Sequence, residues 1–467
     1  MHPWSSTVFV PPRPKPLPAV AALVRVALRG DGDLLSLLPA AAYRMRTGWL
    51  GFSRRSILIV NEPELVRQIM YDHEETFPKN DLMVGALEPL VGDSIFVSSG
   101  KTWRRQRQMI DPAFSHMRLN RAFVSMAAAV DDYEKYLDGL AAANKPFSLD
   151  LAMGHLTADV ITRTVFSQSL QSQTAHDVFE SFMEFERNAA HVELRRLILD
   201  APFAKIPQHA HVLEACKRIR HHLGHLVDTH MGDNATKFND IASAVAQARD
   251  ETTGQPFTRD EVIDQLGVFF LAGHETTASV LTWVFFIIAN QPEILTRIRS
   301  EVETIVGSGT IEFEHTKKLL FTRNVFREAL RLYPPITFMP RVAMRDVKIG
   351  KHRVKRGAML MIAPWVLHRH HDFWRSPHHF DPDRFSAERE PELVPNTYIP
   401  FGLGPRVCIG AAFATTEATL IIARLAQRYD FKLENAAGVR PIARLTTRPQ
   451  REIMCAVTPR RVPAHAS

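Results

Sequence analysis

The sequence predicts a mainly α-helical fold with a small β-rich region. Three observations carry that reading. Residues 120 to 250 have helical patterning almost throughout, broken near Ala143-Asn144-Lys145-Pro146, Pro202 to Pro207 and Gly232 to Thr236. A second helical run, unbroken, extends from Thr258 to Asn290. Strand signals are few and short: Ile57-Leu58-Ile59-Val60, and a hairpin pattern over Ile442 to Val457.

Composition bounds the function. The 467 residues are 45% hydrophobic and 23% charged, an ordinary globular balance. Three cysteines, Cys216, Cys408 and Cys455, are too few and too scattered for a disulfide framework, so a reducing, cytoplasmic setting is expected. The net charge is +7 and the pI about 9.4. No Lys/Arg block interleaved with aromatics points to nucleic acid, so most of this charge reads as solvated surface. A local basic face for an acidic redox protein is the functional alternative.

Taken in order, residues 1–18 form a Pro-rich segment, which should be extended. The stretch from Ala19 to Leu28 is interrupted by Arg25 and is too short to span a bilayer, so no transmembrane anchor is expected. Residues 57–60 read as a buried strand, followed by a helix from Pro63 to Tyr71. Residues 79 to 100, with Gly85, Pro89, Gly92 and Gly100, read as a long loop. Trp103 and Arg107 are four apart, so a helix presents an indole N–H and a guanidinium on one face, a pair suited to a carboxylate. His221, His225 and Asp228 share a helix face, but no fourth ligand completes a metal set, and a solvated helix is preferred.

The run from Phe257 carries a complete helix start. Thr258 caps, Glu261 closes the box and Phe257 can staple it. The helix that follows should be about 50 Å long. It is apolar on nearly every face, as a buried helix is. Its polar middle, Ala272-Gly273-His274-Glu275-Thr276-Thr277, would be costly in lipid, which excludes a membrane span. Thr276 can donate to the Ala272 carbonyl and loosen the helix locally. Gly273 is expected to leave room there for a small ligand.

Glu328 and Arg331 share a helix face. Tyr333-Pro334-Pro335-Ile336-Thr337-Phe338-Met339-Pro340-Arg341 cannot be helix because of its prolines. Five histidines between His368 and His379 raise a zinc site, with packing preferred. Near the C-terminus stands Phe401-Gly402-Leu403-Gly404-Pro405-Arg406-Val407-Cys408-Ile409-Gly410. Cys408 sits just before a run of helix formers, where free N–H groups and the positive helix end favour a thiolate. Gly404 and Gly410 would let the loop lie flat against a planar group and turn sharply.

These motifs, in this order, resemble the cytochrome P450 family from about residue 50 to 460. The resemblance implies the cytochrome P450 fold, one large domain over residues 19–467, and haem b with Cys408 as the axial iron ligand. It implies haem contacts from Trp103, Arg107, Arg341, Phe401, Arg406 and Gly410. Glu275 and Thr276 would deliver protons during oxygen activation, with Glu275 relaying them from solvent. Glu328, Arg331 and Arg384 would form a buried cluster holding the cysteine loop. Leu82, Met83, Val84, Leu87, Ile336 to Met339, Leu445 and Thr446 would face the substrate, and mobile helices between about 165 and 230 would cover the entrance. The implied activity is a monooxygenase that inserts one oxygen atom of O2 into a lipophilic small molecule. Electrons would come from a ferredoxin- or flavodoxin-type donor, with its reductase, docking near Arg104, Arg105 and Arg323. A peroxide-using or rearranging haem-thiolate enzyme, or a non-catalytic haem sensor, is the alternative, and the Glu275–Thr276 pair argues against both.

Overall fold

In the computed structural model, described over residues 9–18, 21, 33–50, 56–188, 201–203, 208–231 and 237–460, helices surround one long central helix. The major helices are α1 (Pro63–Arg67), α2 (Asp81–Val91), α3 (Gly100–Ile110), α4 (His116–Ala142), α5 (Leu149–Phe166) and α6 (Gln173–Asn188). After them come α7 (Ala210–Asp228), α8 (Ile241–Gln247), α9 (Arg259–Asn290), α10 (Pro292–Val306) and α11 (Phe313–Lys318). The last three are α12 (Leu320–Leu332), α13 (Pro364–Leu367) and α14 (Ala411–Arg428).

Helix α9 begins as its sequence dictates. The Thr258 side chain accepts from the Glu261 N–H, and Glu261 accepts in return from the Thr258 N–H at 2.8 Å. Apolar residues then line every face, and nearly all of them are buried. Among the described residues α9 is the one helix long and apolar enough to cross a membrane, and 83% of its most apolar window is buried inside the protein. It packs along α5, with α12 and α14 beneath it. Gly273 sits at the α5 crossing: a Cβ there would lie 2.3 Å from Ile161 Cδ1. The missing side chain therefore permits close helix packing and does not open space for a ligand, contrary to the expectation from sequence.

The strands are short. Strands β1 (Thr47–Leu50), β2 (Ile57–Val60), β7 (Met359–Ile362) and β4 (Met339–Val342) form one sheet in that order, with β2 and β7 parallel. Strand β3 (Phe147–Ser148) pairs with β11 (Met454–Pro459), which pairs with β8 (Tyr429–Leu433). Strands β5 (Val347–Ile349) and β6 (His352–Val354) make one hairpin; β9 (Pro441–Ala443) and β10 (Thr447–Pro449) make another. The C-terminal hairpin is thus shorter than predicted. It closes at Pro449, and residues from Met454 turn away to join β8.

One further expectation changes. Residues 81–91 are helix, not loop. Asn80 caps α2 by accepting from the Leu82 N–H at 2.9 Å, and Pro89 lies in its last two turns. A proline there frees the carbonyl four residues back. That carbonyl, of Gly85, accepts from Gln208 Nε2 at 2.7 Å. The Pro-rich segment is tied to the fold where described: Tyr333 Oη donates to the Pro12 carbonyl at 2.6 Å. The expected breaks at 202–207 and 232–236 fall largely outside the described residues, as does the stretch 19–28 apart from Ala21.

Candidate active site

The ten-residue loop closes on itself before α14. The Cys408 N–H donates to the Phe401 carbonyl at 2.9 Å, and Gly410 is the N-cap residue of α14. The Gly410 N–H points at the Cys408 sulfur. Burial pushes the Cys408 thiol up, while that N–H, Arg107 and Lys79 act in the opposite direction. Cys408 nonetheless has open surface, although it lies deep in the fold; that surface faces an internal space. Gly404 has φ +76°, and a Cβ there would overlap the Met70 carbonyl at 2.3 Å. Its role is the turn over Met70, not an approach to a planar ring.

Around this space the protein gathers cations. Arg406 stands over the Trp103 ring at 4.4 Å, donates to the Ser98 carbonyl at 3.0 Å and pairs with Glu74. Its Nη2 is buried with no partner. Arg341 is buried, and burial together with Arg406 brings its guanidinium down to about 10. Lys79, which the sequence reading missed, donates to the Phe96 carbonyl at 2.7 Å. Burial, Arg341 and Arg406 hold its amine well below the usual range. Arg107 donates to the Val407 carbonyl at 2.8 Å and pairs with Asp111 at 2.6 Å. Four cations thus face two carboxylates, and one guanidinium nitrogen has no partner. Buried charge of one sign calls for a counter-charge. The two propionates of a haem would supply it, so these residues fit that group.

Across the space lies an apolar cavity. Its wall includes Leu82, Met83 and Leu87 of α2, Phe185 of α6, Ala272, Glu275 and Thr276 of α9, Ile336 to Phe338, and Leu445 and Thr446 of the β9–β10 turn. The helical period of α2 explains why Val84 is not in the wall. Met339 packs instead into a core around β2, β4 and β7, and Pro340 takes its place at the cavity. Thr276 Oγ1 donates to the Ala272 carbonyl at 2.6 Å, as its spacing predicts.

Glu275 is not free to exchange with solvent. Thr446 donates to its Oε1 at 2.5 Å and Arg448 Nε at 3.0 Å, and Arg448 also grips Oε2. Burial favours the neutral form, but Arg448 overrides it and brings the carboxyl down to about 2. Arg448 also pairs with Asp150 at 2.8 Å. At rest Glu275 is therefore an anion held by Arg448 and closed off from solvent, which corrects its expected role as a relay fed directly by solvent. The pairing with Arg448 has no sequence signal, because the two residues are 173 positions apart.

Below the cysteine loop, Glu328, Arg331 and Arg384 meet as expected. Arg331 binds Glu328 through two bonds of 2.7 Å, and Arg384 reaches it at 3.3 Å. The guanidiniums then bind carbonyls of His368, Pro377, His379, Arg375 and Ser376. His368 Nε2 accepts from the Ile399 N–H at 2.9 Å, two residues before Phe401. The histidine-rich segment is a scaffold for the loop. Among the described residues, the metal-like groupings of His, Cys, Asp and Glu do not include it. The pair His221 and His225 lies on the exposed face of α7, as expected. Arg105 is not available for docking: it pairs with Asp250 at 3.1 Å and Glu261 at 2.6 Å, at the start of α9. Arg104 is at the surface and paired with Glu75.

Residues 11–456 match the model of the cytochrome P450 family, and the chain belongs to that family. It is 30% identical over 390 residues to cyclooctatin synthase of Streptomyces melanosporofaciens, covering 83% of each chain. It is 28% identical over 406 residues to pentalenene oxygenase of Streptomyces avermitilis, covering 85% of this chain and 87% of that one. A crystal structure of a cytochrome P450 superposes with a TM-score of 0.81 at 22% identity, covering 97% of this chain and 100% of that one. That likeness shows the fold.

Proposed function

We propose that this chain is a haem b monooxygenase that places one oxygen atom of O2 into an apolar small molecule. The observation that carries this reading is the cavity itself. Its wall is mainly apolar; Thr276, Glu275 and Thr446 meet it at the notch in α9, and Asn80, Thr337 and Arg444 are the polar residues elsewhere in it. Cys408 would hold the iron, and Trp103, Arg341, Arg406 and Lys79 would hold the propionates. Arg107 would act on the loop through Val407, and Phe401 and Gly410 would fix the sulfur by their backbone groups. Haem, when bound, supplies the binding and reductive cleavage of O2. The Thr276 hydroxyl faces the cavity and donates protons there, with Glu275 beside it. Leu82, Met83, Leu87, Phe338 and Leu445 exclude water and hold the substrate.

Electrons would come from a separate ferredoxin- or flavodoxin-type protein with its reductase, and the reaction would run in the cytoplasm. The docking face would lie on the cysteine-loop side, where Val407 and Arg104 are exposed. Pentalenene is a first probe, because a relative of similar length is named for oxygenating it. The test is turnover of the haem-loaded protein with NADPH, surrogate ferredoxin and reductase, and isotopically labelled O2. One labelled oxygen in a product supports the reading. Across a panel of apolar probes, substrate-induced shifts of the haem band with no oxygenated product, alongside peroxide-driven turnover, would favour the peroxide-using alternative. Cys408→Ser should lose the red-shifted carbon-monoxide band of the parent.

A further inference from the structure

A second carboxyl stands behind Glu275. Glu186, on α6, brings its Oε1 to 3.2 Å from His274 Nε2 on α9. The accepting atoms of Glu186, His274 and Glu275 all lie within 4.8 Å of one another. His274 is fully buried and the Glu186 side chain is 11% exposed. Neither Glu186 Oε1 nor His274 Nε2 has an aligned hydrogen bond.

The tautomer of His274 follows from its other nitrogen. Nδ1 lies 2.8 Å from the Phe270 carbonyl, which can only accept, so Nδ1 carries a proton. Nε2 is then either a bare acceptor facing a protonated Glu186 or an N–H facing its carboxylate. In both states one proton lies between the two residues. The groups facing Glu186 are His274 and Glu275 on α9 and Arg448 of β10; behind Arg448 stands Asp150 of α5. On its own helix, Glu184 points away to Arg218. Arg448 already neutralises Glu275, so a metal ion in place of the proton would lie against a guanidinium.

We propose that Glu186 holds the mobile proton for Glu275, with His274 as its alternate seat, making Glu186 a positioning residue for proton delivery at Thr276. This rests on the monooxygenase reading above. In the step, the Glu186 O–H bond breaks and a Glu275 O–H bond forms; Glu186 is left as a carboxylate against His274. Water at the exposed edge of Glu186 returns the proton. Glu275, gripped by Arg448, is protonated only in passing. Two neighbouring carboxyls whose environments push them apart are a known way to divide acid and base roles. Burial, with Glu275 adding to it, raises Glu186 to about 7, whereas Glu275 is held at about 2.

The experiment is infrared difference titration of the full-length, haem-loaded protein between about pH 6 and 8. The parent should show a protonated-carboxyl band that is lost across this range and is missing from Glu186→Gln, while any band of Glu417 is identified by its loss in Glu417→Gln. A second readout is the share of electrons, delivered from NADPH by a surrogate ferredoxin, that emerges as hydrogen peroxide. In the parent this share should rise with pH; in Glu186→Gln it should be severalfold higher at the acid end and flat. Equal haem content and circular dichroism in the two proteins exclude a folding effect. A parental carboxyl band that is unchanged in Glu186→Gln and is not the one lost in Glu417→Gln, or an unchanged pH profile of peroxide release, overturns the proposal. If no labelled oxygen enters any product, the monooxygenase reading fails instead, and the infrared titration still decides whether Glu186 holds the proton.

Discussion

Two buried clusters of carboxylate and guanidinium lie on opposite sides of the haem space, and they are built to different degrees of completion. Below the loop, Glu328 accepts from Arg331, Arg384 and the Asp381 N–H, and the remaining guanidinium groups end on carbonyls. Above it, Arg448 is divided between Glu275 and Asp150, while Glu186 and His274 face each other without alignment. A fully bonded cluster has one low-energy arrangement and fixes backbone geometry. A cluster with one proton and several seats can change state. The first is scaffold and the second is chemistry, although composition alone would not distinguish them.

The largest expected effect tests the completeness of the lower cluster. Glu328→Ala leaves Arg331 buried without a counter-charge and Arg384 with only Asp381 at 4.0 Å, and removing one partner of such a buried pair costs about 3–5 kcal/mol. The variant should unfold at markedly lower urea and fail to retain haem. Retention of haem at parental level would show that the cluster does not hold the loop. Next comes Thr276→Ala, which removes the hydroxyl at the cavity wall. Haem binding should persist, while product per electron falls by up to ~10²-fold and peroxide rises. A variant as well coupled as the parent would remove Thr276 from the mechanism.

Glu417, on α14 beside Thr277, provides a third test of the comparison. Burial raises its carboxyl well above the usual carboxylate range, with the Thr277 hydroxyl acting against this. The folded state therefore binds more protons than the unfolded one. The contribution is fully present below the unfolded carboxylate range and is lost as pH rises through the folded value. Glu417→Gln should remove this slope, so that urea midpoints at pH 5 and pH 8 differ less than in the parent. A slope that survives would assign it to other groups. The smallest effect is expected at the start of α9, far from both clusters. Thr258→Ala deletes the cap and should cost about 1 kcal/mol with no change in electron partition. A shift in partition there would mean that α9 transmits strain from its first turn to Thr276.

Much of the site was legible where chemistry depends on neighbours along the chain. The capping box, the Thr276-to-Ala272 bond and a cysteine at a helix start are local arrangements that spacing and helix-forming residues reveal, while the role of the loop around Cys408 came from its resemblance to the family. Gly273 was misread because its reason is Ile161, 112 positions away, which only the packing of α5 on α9 brings close. Residues 81–91 were misread because Pro89 normally ends a helix, and the acceptor it frees is satisfied by Gln208 from a distant segment. Lys79 carried no local mark, and its role depends on Arg341 and Arg406 lying beside it.

The sequence by itself determined that this chain is mainly helical, that one helix runs through its centre, and that a cysteine at a helix start is its metal ligand candidate. Periodicity, capping and the thiolate's need for free N–H groups operate within a few residues. Only the tertiary structure decided which charges meet. It gave Glu275 to Arg448, placed Glu186 behind it, and left Arg406 with an unpaired nitrogen. The physical reason is range. Electrostatic and packing terms depend on distance in space, and burial multiplies their size, so the same residues carry different roles once the chain has brought them together.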